Sequence, residues 1–205
     1  MTQSHIKHAS PDHSIHGLIV ARWSPYAFDP RPVEPEKILA CLEAARWAAS
    51  SFNEQPWSFI IAPREQTEMF QTMLGCLVEA NQDWAKHAGV LMLTVVSKLF
   101  SQNNKPNRVA EHDLGLAAAN LTIQATSLGL HVHQMAGINP SVIKQTYKIP
   151  DAQEPISAIA VGYAADHART ADKALADRDQ TPRQRKPLSQ FVFSETWDRP
   201  SPLAL

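Results

Sequence analysis

Apolar and polar residues follow one another in blocks that predict helices and buried strands. Apolar positions recur at helical spacing over residues 35–50 and again, as the strongest stripe, over 111–130. Short apolar runs at 57–62, 89–97 and 155–164 predict strands, and the last two read as strands buried on both faces. Helices that alternate with buried strands indicate an α/β or α+β sheet covered by helices.

Three further helices are predicted from weaker patterns. A short helix ends before Ser24, because the following proline disfavours helical backbone at that residue. A helix over 65–84 is weakened in its middle by Gly75. Asn139 suits an N-cap position and Pro140 the first turn of a short helix that follows.

The two ends of the chain are more polar than its centre. Residues 1–13 predict a mobile N-terminal tail, and residues 14–205 predict one domain. Residues 165–182 carry few large apolar side chains and predict a loop or mobile segment. The domain closes with an arm, 183–205, that becomes apolar and aromatic only after a basic cluster.

Composition excludes several classes of protein. The 205 residues carry a formal net charge of -1, which argues against broad nucleic-acid or anionic-membrane binding. No apolar run is long enough to cross a bilayer. Two cysteines, Cys41 and Cys76, are too few for a disulfide framework. We therefore expect a soluble, cytoplasmic protein without a nucleic-acid or membrane partner.

Arginines are the candidate phosphate ligands. None of the common glycine-rich phosphate loops is present, and the 7 glycines are scattered singly, so side chains or a helix N-terminus must hold any phosphate. Arg22 lies two residues before Ser24, and Arg183 and Arg185 occupy alternate positions that an extended arm presents to one side. For any single arginine, a solvated surface charge is the simpler interpretation.

The stretch SSFNEQPW, residues 50–57, is a second candidate site. Asn53 and Gln55 are alternate residues whose amides both donate and accept hydrogen bonds, so an extended backbone would point both at a flat, polar-edged ligand. The alternative is a polar helix end whose side chains satisfy free carbonyl groups, with Trp57 in the core.

Taken together, these segments resemble the nitroreductase superfamily. Four stretches follow the order of that family, over about residues 17–197: ARWSPYAF, AARWAASSFNEQPWSFII, DLGLAAANLTIQATSLGLHVHQMAGI and PRQRKPLSQFVF. The resemblance implies an α+β, nitroreductase-like fold in three layers, with a central, mostly antiparallel sheet flanked by helices.

The resemblance also implies FMN as cofactor and NAD(P)H as co-substrate. Three arginines would hold the phosphate and ribityl end, residues 50–55 would border the isoalloxazine, and the backbone of a turn at 134–137 would lie against its central ring. The cofactor-binding residues implied are Arg22, Trp23, Ser24, Tyr26, Ser50, Ser51, Asn53, Gln55, Gln134, Met135, Ala136, Gly137, Arg183 and Arg185.

The implied reaction transfers hydride from NAD(P)H to flavin N5 and then to a nitroaromatic, quinone or similar small acceptor. This ping-pong scheme needs no catalytic side chain, and we assign none. The resemblance further implies a homodimer with flavin at the subunit interface. The apolar arm around Phe191, Val192, Phe193 and Trp197 fits a dimer, since such a strip needs a covering surface.

Two positions depart from the family pattern. Tyr26 stands where the family usually has a cation near the N1–C2=O edge, and a phenol stabilises the anionic reduced flavin less than a cation does. Ala49 stands where a proline is common. The alternative function is therefore a flavin-binding protein of the same fold with little or no NAD(P)H turnover.

Histidines suggest a third alternative, a metal protein. His5, His8, His13 and His16 lie in the polar N-terminal segment, where a fixed coordination shell is not expected, and we assign no metal site. His131 and His133 are interpreted as partly buried, hydrogen-bonded histidines. Cys41 is interpreted as a small core residue, and residues 111–113 as an acidic helix start.

Overall fold

The computed structural model describes residues 5–167 and 172–204. Four strands are present: β1 Trp57–Pro63, β2 Val90–Ser97, β3 His131–Met135 and β4 Gln153–Gly162. Seven α-helices lie in the same ranges: α1 Gly17–Ala21, α2 Pro35–Arg46, α3 Thr67–Leu74, α4 Glu79–Ala85, α5 Ala110–Ser127, α6 Pro140–Tyr147 and α7 Lys173–Arg178. Short 3₁₀ turns occur at Ser51–Asn53, Leu188–Gln190 and Pro202–Ala204.

The strands form one antiparallel sheet in the order β1-β2-β4-β3. The central strands are those whose continuous apolar runs predicted burial on both faces, and β2 is buried from Val90 to Val96. Met92 pairs with Ile61 on one side and with Ile159 on the other, which fixes the register across the sheet centre. The α+β fold class is confirmed.

Helices cover both faces of the sheet, so the domain has three layers. Met92 and Ile159 point to the face covered by α2 and α5, while Leu91 and Ala160 point to the face covered by α3, α4 and α6. Alternate residues of a strand face opposite sides, so each strand contributes to both cores. Cys41 of α2 is 1% exposed, and burial raises the pKa of its thiol to about 11. Its interpretation as a core residue is confirmed.

The structure departs from the predicted elements in three places. The helix expected over 65–84 is divided into α3 and α4, because the chain after Gly75 turns inward and buries Leu77, which bridges Ile138. Strand β3 was missed, since its five residues, HVHQM, contain only two apolar side chains and neither a continuous apolar run nor a regular alternation. The polar segment 165–182 contains helix α7, although residues 168–171 lie outside the described ranges.

The N-terminal residues that the structure describes lie against the domain. The Ala9 N–H donates to the Val20 carbonyl at 3.0 Å, and the His5 ring stacks on Trp23 at 5.2 Å between centroids. Residues 1–4 are outside the described ranges, and mobility of the tail stays a prediction. Within the described ranges, no helix combines the length and apolar character that crossing a bilayer requires.

Candidate functional site

A cleft of about 310 Å³ lies between helix α5 and the segment that follows α1. The Arg22 Nη1 donates to the Ser24 hydroxyl at 3.2 Å, and the Gln134 amide donates to the Thr122 hydroxyl at 3.2 Å. The cleft is lined by Arg22, Ser24, Ala119, Thr122, Ile123, Val132 and Gln134. Three residues that sequence analysis placed at a cofactor site, Arg22, Ser24 and Gln134, therefore share one cleft.

Two further arginines lie close enough to Arg22 to affect its protonation. Burial lowers the pKa of the Arg22 guanidinium, and the positive charges of Arg183 and Arg185 lower this pKa further. In the part of the chain that the structure describes, none of these three arginines forms an ion pair with a carboxylate. Clustered guanidinium groups without a counter-charge favour binding of an anion, phosphate above all.

The two arm arginines have different surroundings. The Arg183 guanidinium is half-buried and donates through Nη1 to the Arg22 carbonyl and through Nη2 to the Val20 carbonyl, the latter at 2.5 Å. Among the residues that the structure describes, none is a hydrogen-bond partner of its buried Nε. Arg185 is exposed, and its Nη1 donates to the carbonyl of the neighbouring Gln184 at 2.6 Å.

The loop after α2 is held in an unusual backbone conformation. Phe52, Asn53 and Gln55 have φ angles of 54°, 56° and 52°, in the left-handed region that non-glycine residues seldom adopt. Such residues cost about 1–3 kcal/mol each when held there by their surroundings, and they cluster at functional sites. The Ser50 hydroxyl accepts the Gln55 N–H at 3.0 Å, and the Gln55 amide donates to the Asn53 carbonyl at 3.1 Å.

Asp113 anchors this loop, a role that sequence analysis missed. The residue is 2% exposed, and its carboxylate accepts the Ser51 N–H at 3.0 Å. The sequence contained a sign of this role. Asp113 lies four positions before Ala117, on the apolar stripe of α5, and a charged group buried there needs a hydrogen-bond partner. Thr122 in the cleft follows Asp113 by nine residues, which is about 14 Å along a helix axis. The loop and the cleft therefore lie along one helix.

Residues 134–137 are partly strand and partly turn. Gln134 and Met135 end β3, whereas Ala136 and Gly137 follow it. The Gly137 carbonyl accepts the Asn81 amide at 3.0 Å and the Val78 N–H at 3.1 Å. A Cβ at Gly137 would lie 2.4 Å from the Asn81 Nδ2, so the small residue expected here is required by protein packing.

Tyr26 packs on the face opposite to the cleft. Its ring meets Trp84 at 5.4 Å and His133 at 4.8 Å between centroids, and the Arg178 guanidinium lies 3.6 Å from the ring centre. Both carboxylate oxygens of Asp179 accept the Tyr26 N–H at 3.0 Å. The ring belongs to the core beneath α3, α4 and α6. Its predicted contact with the flavin edge stays a prediction.

Trp23 faces a separate cavity of about 640 Å³. The indole is 6% exposed and meets the His131 ring at 5.0 Å. Burial lowers the pKa of His131 to about 4, and its Nδ1 has no hydrogen-bond partner in the part of the chain that the structure describes. His133, by contrast, donates its Nδ1 hydrogen to the Pro25 carbonyl at 2.8 Å, so the interpretation as a hydrogen-bonded histidine fits His133 and not the Nδ1 of His131. In the described ranges, no three His, Cys, Asp or Glu side chains are arranged to hold a metal ion.

Known proteins resemble the chain in sequence. The model of the nitroreductase family matches residues 19–163. An uncharacterized 15.4 kDa protein of Mycolicibacterium smegmatis is 37% identical over 133 residues, which are 65% of this chain and 87% of that protein. A protein of Methanothermobacter thermautotrophicus, named provisionally as an NADH dehydrogenase/NAD(P)H nitroreductase, is 28% identical over 165 residues, 78% of this chain and 82% of that protein.

Solved structures resemble the fold. The crystal structure of an oxidoreductase containing FMN superposes with a TM-score of 0.85 at 34% identity, over 96% of this chain and 98% of that chain. A nitroreductase family protein of Clostridium difficile 630 superposes with a TM-score of 0.67 at 25% identity, over 87% and 96% of the two chains. The family expected from four short motifs is thus confirmed over most of the sequence. The chain belongs to the nitroreductase family.

Proposed function

We propose that the protein is an FMN-dependent oxidoreductase that takes hydride from NAD(P)H and passes it to a nitroaromatic, a quinone or a similar small acceptor. The observation that carries the proposal is the cluster of Arg22, Arg183 and Arg185, whose three positive charges have no carboxylate partner within the described residues. The chain belongs to the nitroreductase family, and a solved structure that is 34% identical to it contains FMN. Both findings support FMN as the cofactor.

The residues present fit FMN. Arg22 and Arg185 supply guanidinium donors for the phosphate, Ser24 supplies a hydroxyl, and the orphaned Arg183 Nε supplies a buried N–H that a phosphate oxygen would satisfy. The loop at 50–55 and the main chain of 134–137 would border the ring system. Asn53 and Gln55 carry the amides that can match its alternating acceptors and donors.

Bound FMN supplies the atom that accepts and releases hydride, so the chain's own residues need only bind, orient and shield. The anchored loop and α5 set the positions of the polar groups before any ligand arrives, which keeps the cost of ordering low on binding. We assign no acid or base: His133 lies on the Tyr26 face, away from the cleft, and donates its Nδ1 hydrogen to a carbonyl.

We propose a homodimer with the flavin at its interface. Several large apolar side chains are exposed on the single chain, and a partner subunit would cover them: Trp47 73%, Phe52 90%, Phe191 57% and Trp197 82%. Phe52 belongs to the loop expected to border the cofactor, so a partner that covers it would also help to enclose the site. The cytoplasm remains the proposed location, and two unpaired, buried cysteines support it.

The test is flavin content followed by anaerobic reduction. The purified protein should be yellow or take up added FMN, should bleach when NADH or NADPH is added without oxygen, and should regain colour with a quinone or nitroaromatic acceptor. A colourless protein that does not take up FMN would overturn the proposal.

The second candidate is a flavin-binding protein with little turnover. It is favoured by the packing of Tyr26: this residue stands where the resemblance implies a cation, and its ring lies on the other face of the sheet. Saturable FMN binding without oxidation of either nucleotide, across several acceptors, would support this candidate over the first.

A further inference from the structure

We propose that Arg183 is a positioning residue: it fastens the C-terminal arm to the end of α1, and it leaves Arg22 and Arg185 as the main phosphate-binding pair. The fastening is a property of the protein without ligand. The assignment of phosphate binding to Arg22 and Arg185 rests on the proposed function, because it concerns the phosphate of FMN.

The geometry of the Arg183 fork carries the inference. Nη1 donates to the Arg22 carbonyl and Nη2 donates to the Val20 carbonyl, 161 and 163 residues earlier in the chain. Helix α1 ends at Ala21, so both carbonyls belong to its last turn or its cap. Carbonyls at a helix end lack intrahelical partners, and a planar guanidinium is the side chain that can bridge two of them.

This bonding limits what Arg183 can offer a ligand. A guanidinium has five N–H donors, and the fork formed by its two terminal nitrogens is the usual bidentate edge for phosphate. In Arg183 that edge faces main-chain carbonyls, which occupies two of the five hydrogens. The three that remain, one on each terminal nitrogen and one on the buried Nε, point away from this edge, so a ligand could reach Arg183 only from the side. Arg185 is exposed, and within the described ranges it bonds only to the adjacent carbonyl of Gln184, so its fork can turn to a ligand at little cost.

The same bonds place the other two arginines. Arg22 is the cap residue of α1, so fixing its carbonyl fixes the backbone from which its guanidinium reaches Ser24 in the cleft. Arg185 follows Arg183 by two residues and is carried with it, which accounts for its electrostatic effect on the Arg22 pKa. An early and a late segment of the chain therefore meet through Arg183 before phosphate is present.

The experiment compares Arg183→Lys, Arg183→Gln and Arg185→Gln. Lysine keeps the positive charge and cannot span two carbonyls with a planar fork. Hydrogen exchange of peptides covering residues 17–24 and 183–191 is measured on the apoprotein, with peptides from β2 as the control for global folding. Affinities are measured for FMN and for riboflavin, which lacks the phosphate.

If Arg183 fastens the arm, Arg183→Lys and Arg183→Gln both speed exchange in the two peptides, by about tenfold or more for the loss of about 1.4 kcal/mol. Both then weaken FMN binding to a similar degree. Arg185→Gln leaves exchange unchanged and weakens FMN binding without weakening riboflavin binding. The inference would be overturned if Arg183→Lys kept the exchange rates and the FMN affinity of the wild type. A positive charge at position 183 would then be enough for both properties, without the planar fork.

A measurement on the unmodified apoprotein covers the case in which a variant does not fold. With arginine labelled by ¹⁵N, the terminal guanidinium hydrogens of Arg183 should exchange slowly with water, whereas those of Arg185 should exchange fast. Equal, fast exchange for both would reject the fastening. If the wild type binds no FMN, the proposed function fails, and the exchange results still decide the role of Arg183.

Discussion

The buried carboxylate of Asp113 accepts the main-chain N–H of Ser51 at 3.0 Å, across 62 residues of sequence. This bond ties the loop that contains three left-handed residues to the first turns of α5. The positive end of the helix dipole also lies there, which makes an acidic residue favourable at this position. The strained loop is thus held by a rigid element.

Removing this carboxylate should destabilise the protein. Asp113→Ala leaves the Ser51 N–H without its partner, and we expect a loss of about 1–3 kcal/mol in the free energy of unfolding by urea. Asp113→Asn keeps an acceptor oxygen and should recover part of the loss. Glu111→Ala is the matched control: Glu111 is exposed and pairs with Lys98, so its loss should stay below about 0.5 kcal/mol. Equal effects at both positions would contradict the anchoring role.

Replacing Arg22 by glutamine should separate phosphate recognition from ring recognition. Loss of a charge-assisted bond of about 1.5–3 kcal/mol predicts FMN binding about 10- to 150-fold weaker, with riboflavin affinity little changed. Fluorescence titration of the apoprotein measures both. Arg46→Gln, which removes an exposed arginine paired with Glu43, should leave both affinities unchanged. A parallel loss of riboflavin affinity in Arg22→Gln would place Arg22 away from the phosphate.

A methyl group at Gly137 should be costly. It would meet the Asn81 Nδ2 at 2.4 Å and the Val78 Cγ2 at 2.7 Å. The Asn81 side chain would have to move, which disturbs the hydrogen bond that its amide donates to the Gly137 carbonyl. We expect Gly137→Ala to lose about 1–3 kcal/mol in urea unfolding. Gly115→Ala serves as control, because the site is helical and, apart from its own helix backbone and chain neighbours, no atom of the described residues lies within 4 Å of the added Cβ. That variant should gain about 0.5–1 kcal/mol.

His131 should make stability fall as the pH is lowered. Its pKa is about 4 in the folded protein against an ordinary value of 6.5, mainly through burial and then through the nearby charges of His5 and Arg22. Between these two values the unfolded chain binds the proton and the folded chain does not, so acid favours unfolding. The resulting loss in the free energy of unfolding approaches about 3 kcal/mol below pH 4, and it vanishes above pH 6.5.

Urea unfolding at several pH values from 4 to 7.5 checks this contribution. His131→Leu should reduce the slope of stability against pH in that window, whereas His13→Leu, which changes an exposed histidine, should keep the wild-type slope. An unchanged slope in His131→Leu would show that the proton uptake belongs to other groups.

The hydroxyl of Tyr26 can be tested apart from its ring. Tyr26→Phe keeps the contacts with Trp84, His133 and Arg178, so the free energy of unfolding should stay within about 0.5 kcal/mol of wild type. The flavin midpoint potential of the loaded protein should also be unchanged, since the ring packs away from the cleft. A lower potential in this variant would instead place the hydroxyl at the flavin edge.

Local patterns predicted the elements with the clearest apolar runs or stripes. β2 is a continuous apolar run, β4 is buried from Ala158 to Gly162, and α5 has an apolar stripe at helical spacing, so each could be found from its own residues. β3 is an edge strand whose successive side chains lie in different surroundings. Its sequence, HVHQM, contains no comparable apolar run.

The interactions that shape the candidate site are long-range. Asp113 meets Ser51 across 62 residues, and Arg183 meets Arg22 across 161. No local spacing encodes such pairs, and the motif resemblance identified Arg183 as a candidate without showing that its fork is bonded to main-chain carbonyls. Similarly, the sequence identified Tyr26 as a departure from the family pattern, but which side of the sheet its ring occupies depends on the packing of α4.

Neighbouring residues of β3 belong to opposite layers: the Gln134 amide bonds to Thr122 in the cleft, and the next side chain back, His133, stacks on Trp84 at 4.3 Å. A shift of β3 by one residue against β4 would exchange these side chains, because the strand period is two. An imidazole would then enter the cleft and an amide the aromatic stack. Single-residue insertions or deletions between α5 and β3 should therefore be poorly tolerated, while changes of two residues preserve the arrangement of the two layers.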